Sequence, residues 1–345
     1  RLCDYFDLIA GTSTGSIIAS FLALGRSVPE IKDYYAMMAP EVFARSQAVG
    51  ARVPKFHASA FERLLEAAFG AHTLGSADIR TGLLICTKRM DTGGQWPICN
   101  DPRGRYYAPA DGRIFPNRDY PLKMLIRAST AAPYFFEPVR ISIADHPDFE
   151  KEAGMFVDGG VGGDNNPSLQ AFKTATLGGY NVNWPVGENN ILLISVGAGW
   201  RRPRIDLKRY AAMWNWEKAK EALAGLIQET VQQNIVTLQA LAAVRKPWYV
   251  NSELGRMETM RWADPPLLTF QRYDAHMDDA SVVDALGLAG KDAAEIKRLL
   301  KGLLQIDNAS KDNLRHLHAL GLAAGAQVES ADFPEAFRIA ATAPD

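Results

Sequence analysis

Residues 6–24 read Phe-Asp-Leu-Ile-Ala-Gly-Thr-Ser-Thr-Gly-Ser-Ile-Ile-Ala-Ser-Phe-Leu-Ala-Leu. A short apolar run typical of a strand leads into Gly11-Thr-Ser-Thr-Gly15, and apolar residues at helical spacing follow. A serine between two glycines, with a strand before it and a helix after it, predicts a sharp turn that lifts the hydroxyl out at the strand end. The pattern therefore predicts Ser13 as a nucleophile. The backbone N–H of Thr14, at the start of the helix, would face a developing oxyanion.

Composition sets the broad class of the protein. With 345 residues, 47% hydrophobic and 22% charged, the chain can bury a large core. A formal net charge of −1 and the lack of nucleic-acid-binding motifs argue against a nucleic-acid partner. Three cysteines do not make a disulfide framework and indicate a reducing, cytoplasmic compartment. The chain begins at Arg1 without a signal peptide, and we expect its true N-terminus to lie upstream.

Strand and helix signals alternate along the chain. Unbroken apolar runs at Leu83–Thr87 and Asn190–Val196 predict buried strands. The sequences Ser27-Val-Pro-Glu30 and Ser59-Ala-Phe-Glu62 are capping boxes that predict the start of helices. This alternation predicts an α/β fold with a mostly parallel sheet covered on both faces.

The second half of the chain continues with longer helical patterns. Apolar residues recur every three or four positions over residues 214–244, which predicts a long helix packed on the core, with Trp214 and Trp216 buried. Leu268–Tyr273 predicts a last strand, and two helices follow it. We found no linker or internal repeat.

These patterns lead to one expected division of the chain. We expect an α/β core that carries the chemistry over residues 1–280. A C-terminal helical extension over residues 281–345 would pack on the same domain. The sequence leaves the oligomeric state open.

A second motif, Asp158-Gly159-Gly160, follows the predicted strand Met155–Val157. In open α/β sheets the carboxyl ends of the strands form the working edge, so we expect Asp158 to share an edge with Ser13. The two glycines would let the backbone turn without crowding a substrate. Taken alone, Asp-Gly-Gly is more often an ordinary turn, and that alternative stays open at this point.

Taken together, the motifs make the chain resemble the patatin-like phospholipases over about residues 6–279. The shared landmarks, in order, are Gly11–Gly15 after Phe6–Ala10, Ala128–Pro133 followed by aromatic residues, Phe156–Gly160 shortly before Asn166-Pro167, Leu192–Gly197, and Phe270–Tyr273.

The resemblance implies a three-layer α/β/α sandwich with a mostly parallel central sheet. It implies a lipid acyl hydrolase of phospholipase A or lysophospholipase type that needs no metal or other cofactor. Ser13 would be the nucleophile and Asp158 its base, in a dyad that forms an acyl-enzyme. The substrate would be a membrane phospholipid, met from the cytoplasm by peripheral contact. Lipid turnover, a toxin and a bacterial effector switched on by a small molecule are all compatible with the family.

Two features depart from the family pattern. Family members carry a glycine-rich loop with an arginine upstream of the serine turn, and this loop supplies most of the oxyanion hole. Nothing before Arg1 can provide it, so we expect the first βα unit to lie upstream of residue 1; the alternative is a non-catalytic binding or scaffold protein. Gly162-Gly163-Asp164 also lengthens the loop after Asp158, which would alter access without affecting the chemistry.

A Ser–His–Asp triad is the nearest rival mechanism. In the usual order of such hydrolases the histidine follows the acid, which leaves His276, His316 and His318. His316 and His318 lie two apart on a predicted helix and face different ways, which also argues against a metal pair. His276 lies in a polar segment that we expect at the surface.

A basic segment follows the strand that ends near Gly197. Its first part, Trp200-Arg-Arg-Pro-Arg204, is followed by Lys208, Arg209 and Tyr210. Cations and interfacial aromatics suit anionic lipid headgroups. The pattern predicts membrane contact through Trp200, Arg201, Arg202 and Arg204. The alternative is a solvated loop whose arginines pair with nearby carboxylates.

Overall fold

The computed structural model describes residues 1–43, 54–110, 114–143, 153–201 and 206–338. The chain forms two compact units, Arg1–Pro185 and Val186–Asp345. Among the described residues, no helix is long and apolar enough to cross a membrane. The three cysteines are free thiols, as predicted.

The first unit is built on a five-stranded sheet whose central member is β2. The strands are β1 (Leu8–Thr12), β2 (Gly82–Arg89), β3 (Gln95–Cys99), β4 (Val139–Ser142) and β5 (Ala153–Asp158). β1 runs parallel to β2, whereas β3 and β5 run antiparallel to β2, and β4 runs antiparallel to β5.

The pairing register brings the ends of β1 and β5 together. β3 occupies one edge of β2 over residues 84–88, so β1 and β5 must both use the other edge. Thr12 of β1 is opposite Cys86, and Asp158 of β5 is opposite Thr87. The carboxyl ends of the two strands therefore meet head to head at neighbouring residues of β2. The predicted reason for their proximity, a shared edge of parallel strands, is wrong for β5 because that strand runs antiparallel to β2.

Within the described residues of this unit, five α-helices surround the sheet, and the first three begin close to where the sequence patterns predict. They are α1 (Thr14–Ala23), α2 (Val28–Val42), α3 (Ala58–Phe69), α4 (Leu122–Ser129) and α5 (Ser168–Thr176).

The core of the first unit is aromatic and aliphatic, and the helix caps agree in part with prediction. Phe21 of α1 stacks on Phe69 of α3 with 4.8 Å between the ring centroids. The capping box at Ser27 is confirmed. The Ser27 hydroxyl accepts from the Glu30 amide, and the Glu30 carboxylate accepts from the Ser27 amide. The capping box predicted at Ser59 is wrong. His57 holds the N-cap position without a side-chain bond, so Ser59 already lies in the first turn of α3.

The second unit has its own three-stranded sheet, in which all pairs are parallel. Its order is β6 (Leu192–Val196), β8 (Leu268–Tyr273) and β7 (Ala242–Val244), and β8 is buried along its whole length. Its helices are α6 (Leu207–Ala212), α7 (Asn215–Leu241), α8 (Asp279–Ala285), α9 (Ala293–Leu303) and α10 (Lys311–Gly325). The α/β fold class is confirmed, with parallel pairing throughout this sheet and mixed pairing in the first one.

The long helix α7 differs from prediction in its burial. Its buried residues begin at Val231. Trp214 and Trp216, before and within its first turn, are 74% and 66% exposed, so their predicted burial is wrong. The apolar period continues along α7, but only the second half of the helix packs against the unit.

Candidate active site

Ser13 lies between β1 and α1 in a strained backbone conformation. Its φ of 55° and ψ of −129° fall where non-glycine residues are rare, at a cost of about 1–3 kcal/mol. The serine itself therefore makes the sharp turn, and neither flanking glycine does. Position 11 requires glycine because the backbone of Gly15 lies close to it: a Cβ on Gly11 would lie 2.2 Å from the Gly15 carbonyl oxygen. A Cβ on Gly15 would meet nothing within 4 Å, so packing does not require the second predicted glycine.

The turn is held in place from α2 and α4. Thr14 is exposed, and its carbonyl accepts a 2.6 Å hydrogen bond from the Tyr35 hydroxyl of α2. The Ser13 amide donates to the Ser129 hydroxyl at the end of α4, at 2.9 Å. That hydroxyl in turn donates to the Cys86 carbonyl of β2, at 2.7 Å. These bonds stabilise the strained conformation of the predicted nucleophile.

Asp158 ends β5 with its side chain 6% exposed. One carboxylate oxygen accepts from the Gly160 amide at 2.8 Å. Burial raises the pKa of Asp158 from 3.8 to about 6, while the neighbouring Ser13 side chain and the Gly160 amide lower it. The carboxylate is still ionised at neutral pH and is a stronger base than a solvated aspartate.

The two glycines after Asp158 allow the chain to pass close against β2. A Cβ on Gly159 would lie 2.5 Å from the Cys86 carbonyl oxygen, which only glycine tolerates. A Cβ on Gly160 would lie 3.1 Å from the Asp158 carboxylate oxygen that its own amide binds. The Asp-Gly-Gly segment is therefore a turn whose geometry orients the carboxylate toward Ser13.

Residues 1–172, which contain this whole arrangement, match the family model described as patatin-like phospholipase. The chain belongs to the patatin-like phospholipase family. It is 28% identical over 221 residues to patatin-like protein 2 of Arabidopsis thaliana, covering 58% of this chain and 51% of that protein. It is 29% identical over 238 residues to a cUMP-AMP-activated phospholipase of Escherichia coli, covering 68% and 66%. A cGAMP-activated phospholipase of E. coli strain TW11681 is 26% identical over 209 residues, covering 57% and 51%. The matches thus span about half to two thirds of these relatives.

The patatin-like landmark Ala128–Pro133 has a physical role that the sequence did not reveal. Ser129 is fully buried and links Ser13 to β2, and the Ala131 carbonyl accepts from the Asp158 amide at 3.1 Å. One short segment therefore fixes the backbone of both predicted catalytic residues. The signal available in the sequence was a serine at the end of a short amphipathic helix.

A second buried acid lies beside this patatin-like site. Asp164 is 2% exposed; its backbone carbonyl accepts from the Thr12 hydroxyl at 2.5 Å, and its carboxylate accepts from Gln95 at 3.1 Å. Its other carboxylate oxygen has no hydrogen-bond partner within the described ranges. Burial raises the pKa of Asp164 to about 6, although Lys173 and Lys88 lower it. The lengthened loop Gly162–Asp164 is therefore hydrogen-bonded to Thr12, the residue before Ser13.

The predicted membrane contacts and triad histidines belong to the second unit of the patatin-like chain. Trp200 and Arg201 are half-buried, and Arg202 and Arg204 lie outside the described residues. His276, expected in a surface segment, is half-buried with its ring stacked on Trp248, 4.8 Å between centroids. Within the described ranges, no group of three or more His, Cys, Asp or Glu is arranged to hold a metal ion.

Replacing Ser129 with alanine should loosen the serine turn of the patatin-like site. The variant leaves the Ser13 amide and the Cys86 carbonyl without their partner, and each buried unpaired group costs about 1–3 kcal/mol. We expect the free energy of unfolding to fall by about 2–4 kcal/mol. Activity should fall about tenfold to a hundredfold, since small displacements at a reacting centre are costly. Urea unfolding and steady-state ester hydrolysis measure both.

Ser20→Ala is the matched control for Ser129→Ala. Ser20 is also fully buried, but its hydroxyl donates only to the Ser16 carbonyl one turn earlier in α1. Its loss should leave activity close to wild type. Wild-type stability and activity in Ser129→Ala would contradict the role given to Ser129.

Replacing Asp164 with asparagine should change how stability depends on pH. The unfolded pKa is 3.8 and the folded pKa about 6, so the folded state holds the proton more tightly. The stabilisation is fully present below about pH 4 and is lost as pH rises through 6. Asp164→Asn removes this dependence, so its stability relative to wild type should improve by about 3 kcal/mol between pH 4 and pH 8. Chemical denaturation at both pH values tests this, and an equal difference at the two would contradict it.

Proposed function

We propose that this chain is a lipid acyl hydrolase of the phospholipase A or lysophospholipase type, acting on fatty-acyl esters of membrane phospholipids. The observation that carries the proposal is the strained Ser13 beside the buried carboxylate of Asp158, whose pKa the Ser13 side chain lowers. Family membership supports the ester and lipid classes of the substrate.

In the proposed reaction, the Ser13 oxygen attacks the ester carbonyl carbon while its proton passes to the Asp158 carboxylate. The bond between the carbonyl carbon and the ester oxygen of the leaving group then breaks. Asp158 returns the proton to that oxygen as the alcohol or lysolipid departs. Water attacks the resulting acyl-enzyme and gives a proton to the same carboxylate. Release of the fatty acid and return of that proton regenerate the Ser13 hydroxyl.

Two features of the site support this chemistry. The pKa of Asp158, raised by burial to about 6, brings the base closer to neutrality than a free aspartate. The amide of Thr14 begins α1, where unpaired N–H groups and the helix dipole favour negative charge. We assign Thr14 a share of the oxyanion hole on this basis.

The rival functions are less well supported. The triad candidates His276, His316 and His318 belong to the second unit, whereas Ser13 and Asp158 are neighbours within the first. A non-catalytic scaffold would have no use for a serine in a strained conformation beside a buried acid. Both features favour an enzyme with a Ser13–Asp158 dyad.

The named relatives suggest how the enzyme is controlled. Two are called cGAMP-activated and cUMP-AMP-activated phospholipases, and we extend to this chain the proposal of a small-molecule activator of that class. We further propose that it acts from the cytoplasm as a peripheral membrane protein.

Lipid release measured by mass spectrometry tests the proposed function. Full-length protein and its Ser13→Ala variant would be incubated with phospholipid vesicles, alone or with cGAMP or cUMP-AMP. We expect free fatty acid and lysophospholipid from the unmodified protein only. Equal release from both proteins, or none under any condition from folded protein, would contradict the proposal.

A further inference from the structure

The second unit carries an apolar surface that is exposed to solvent. It is formed by α6 and the first half of α7, and we call it the tryptophan surface. Its exposed members are Leu207, Tyr210, Trp214, Trp216, Leu223 and Leu226. Single exposed apolar residues are normal, but six large exposed apolar side chains within residues 207–226, two of them tryptophan, mark an interaction site.

The first half of α7 is amphipathic. Trp216, Leu223 and Ile227 are spaced by seven and four residues, which places them on one face of the helix. Lys218 and Glu221 lie on the opposite face, and the exposed Lys220 lies beside Trp216 and Leu223. A helix with this arrangement suits a boundary between water and an apolar phase.

Local bonds hold the two helices of the tryptophan surface in shape. The Asp206 carboxylate accepts from the Arg209 amide at 3.0 Å and caps α6. The Glu217 carboxylate accepts from the Trp214 amide at 2.8 Å at the start of α7. The Lys218 ammonium lies 5.6 Å from the centroid of the Tyr210 ring and connects the two helices.

The helices of this surface carry an excess of positive charge. Residues 206–220 contain four Lys and Arg against two Asp and Glu, a net charge of +2 in a chain of net −1. The two acids, Asp206 and Glu217, are the ones that bind backbone amides at the helix starts. The partner of this surface must therefore offer both negative charge and an apolar phase.

We propose that the tryptophan surface docks this protein onto an anionic lipid bilayer. Tryptophan and tyrosine rings are favoured at the headgroup level, leucine and isoleucine side chains below it, and lysine and arginine beside the phosphates. A second copy of the chain fits less well, because two surfaces of net +2 would repel each other. The proposal rests on the proposed function, and it names the surface that brings the enzyme to its lipid.

Vesicle co-sedimentation tests the docking separately from the chemistry. The full-length protein would carry Ser13→Ala, so that lipids are not consumed and binding does not depend on hydrolysis. Phosphatidylcholine vesicles with and without phosphatidylglycerol are the probes. Against this parent, Trp214→Ser/Trp216→Ser should bind the anionic vesicles more than about tenfold more weakly, because two large apolar side chains are lost. Trp214→Phe/Trp216→Phe should bind nearly as well as the parent.

Met260→Ser/Trp262→Ser is the matched control, since both residues are exposed in the same unit but lie outside α6 and α7. It should bind like the parent. For the charges, Lys208→Gln/Arg209→Gln should weaken binding to anionic vesicles by about tenfold or more while hardly changing binding to neutral ones. Lys297→Gln/Arg298→Gln in the exposed part of α9 should have little effect. Circular dichroism confirms that each variant is folded.

Unchanged vesicle binding in the folded Trp214→Ser/Trp216→Ser variant would overturn the proposal. So would a dimer in sedimentation velocity that only this variant dissociates, which would assign the surface to a second copy. Vesicle binding by a protein that never hydrolyses lipid would instead overturn the proposed function and leave the docking surface standing.

Discussion

Ser13→Ala is expected to abolish ester hydrolysis and to leave the fold intact. The Ser13 oxygen is the only nucleophile in the proposed reaction, so the rate should fall by at least about 10⁴-fold, as for other hydrolases that lose their nucleophile. The variant removes one half-buried hydroxyl and leaves the amide bond to Ser129 in place, so stability should change little. Steady-state hydrolysis of a soluble ester, with circular dichroism, measures both effects.

A fluorophosphonate probe identifies the reactive serine directly. It should label the unmodified protein at Ser13, and Ser13→Ala should not be labelled. Ser59→Ala, an exposed serine in the first turn of α3, is the matched control and should retain labelling and activity. Labelling at any other serine would mean that Ser13 is not the nucleophile.

Local sequence signals predicted the elements that carry the site. The strand, turn and helix around Ser13 depend on residues within a few positions of one another, as does the capping box at Ser27. The predicted strand Leu268–Tyr273 matches β8, and the segment is rich in the aromatic and β-branched residues that favour strands. Where the cause of a structure is local, the sequence was sufficient.

The sequence could not reveal contacts between distant segments. The antiparallel direction of β5 is set by its pairing with β2, and no local pattern encodes that choice. The bonds of Ser129 to Ser13 and of Asp164 to Thr12 join residues more than a hundred positions apart. The raised pKa of Asp158 depends on its burial, which follows from the pairing of β5 with β2. The sequence alone therefore could not predict it.

The exposure of Trp214 and Trp216 illustrates a different limit. A helical period identifies which residues of α7 share a face, and it did so correctly. It does not say whether anything covers that face. Burial begins only at Val231, and the same apolar pattern therefore means core in the second half of the helix and surface in the first.

Asp158→Asn should reduce ester hydrolysis about as far as Ser13→Ala does. The substitution keeps the shape of the side chain and an oxygen for the Gly160 amide, but it removes the group that accepts the Ser13 proton. Because the two residues act as one unit, their losses should not add, and the double variant should be no worse than either single one. Soluble-ester kinetics on the three folded variants measures this.

The pH profile of the unmodified enzyme gives an independent readout of Asp158. The base must be deprotonated to act, and burial raises its pKa to about 6. For a soluble ester, kcat/KM should therefore rise with pH and level off above an apparent pKa near 6. The residual kcat/KM of Asp158→Asn should show no inflection near pH 6. An inflection near 6 that persists in Asp158→Asn would assign the titration to another group.

The histidines decide between the dyad and a triad. If Asp158 takes the proton itself, alanine in place of His276, His316 or His318 should leave soluble-ester turnover within a few-fold of wild type, since none of them handles the proton. In a triad, one of these substitutions becomes as damaging as Ser13→Ala, while Asp158→Asn retains more activity because the histidine still accepts the proton, though in a poorer orientation. The proximity of the Ser13 side chain to the Asp158 carboxylate, whose pKa it lowers, favours the first pattern. A folded histidine variant as inactive as Ser13→Ala would overturn the dyad and still leave Ser13 as the nucleophile.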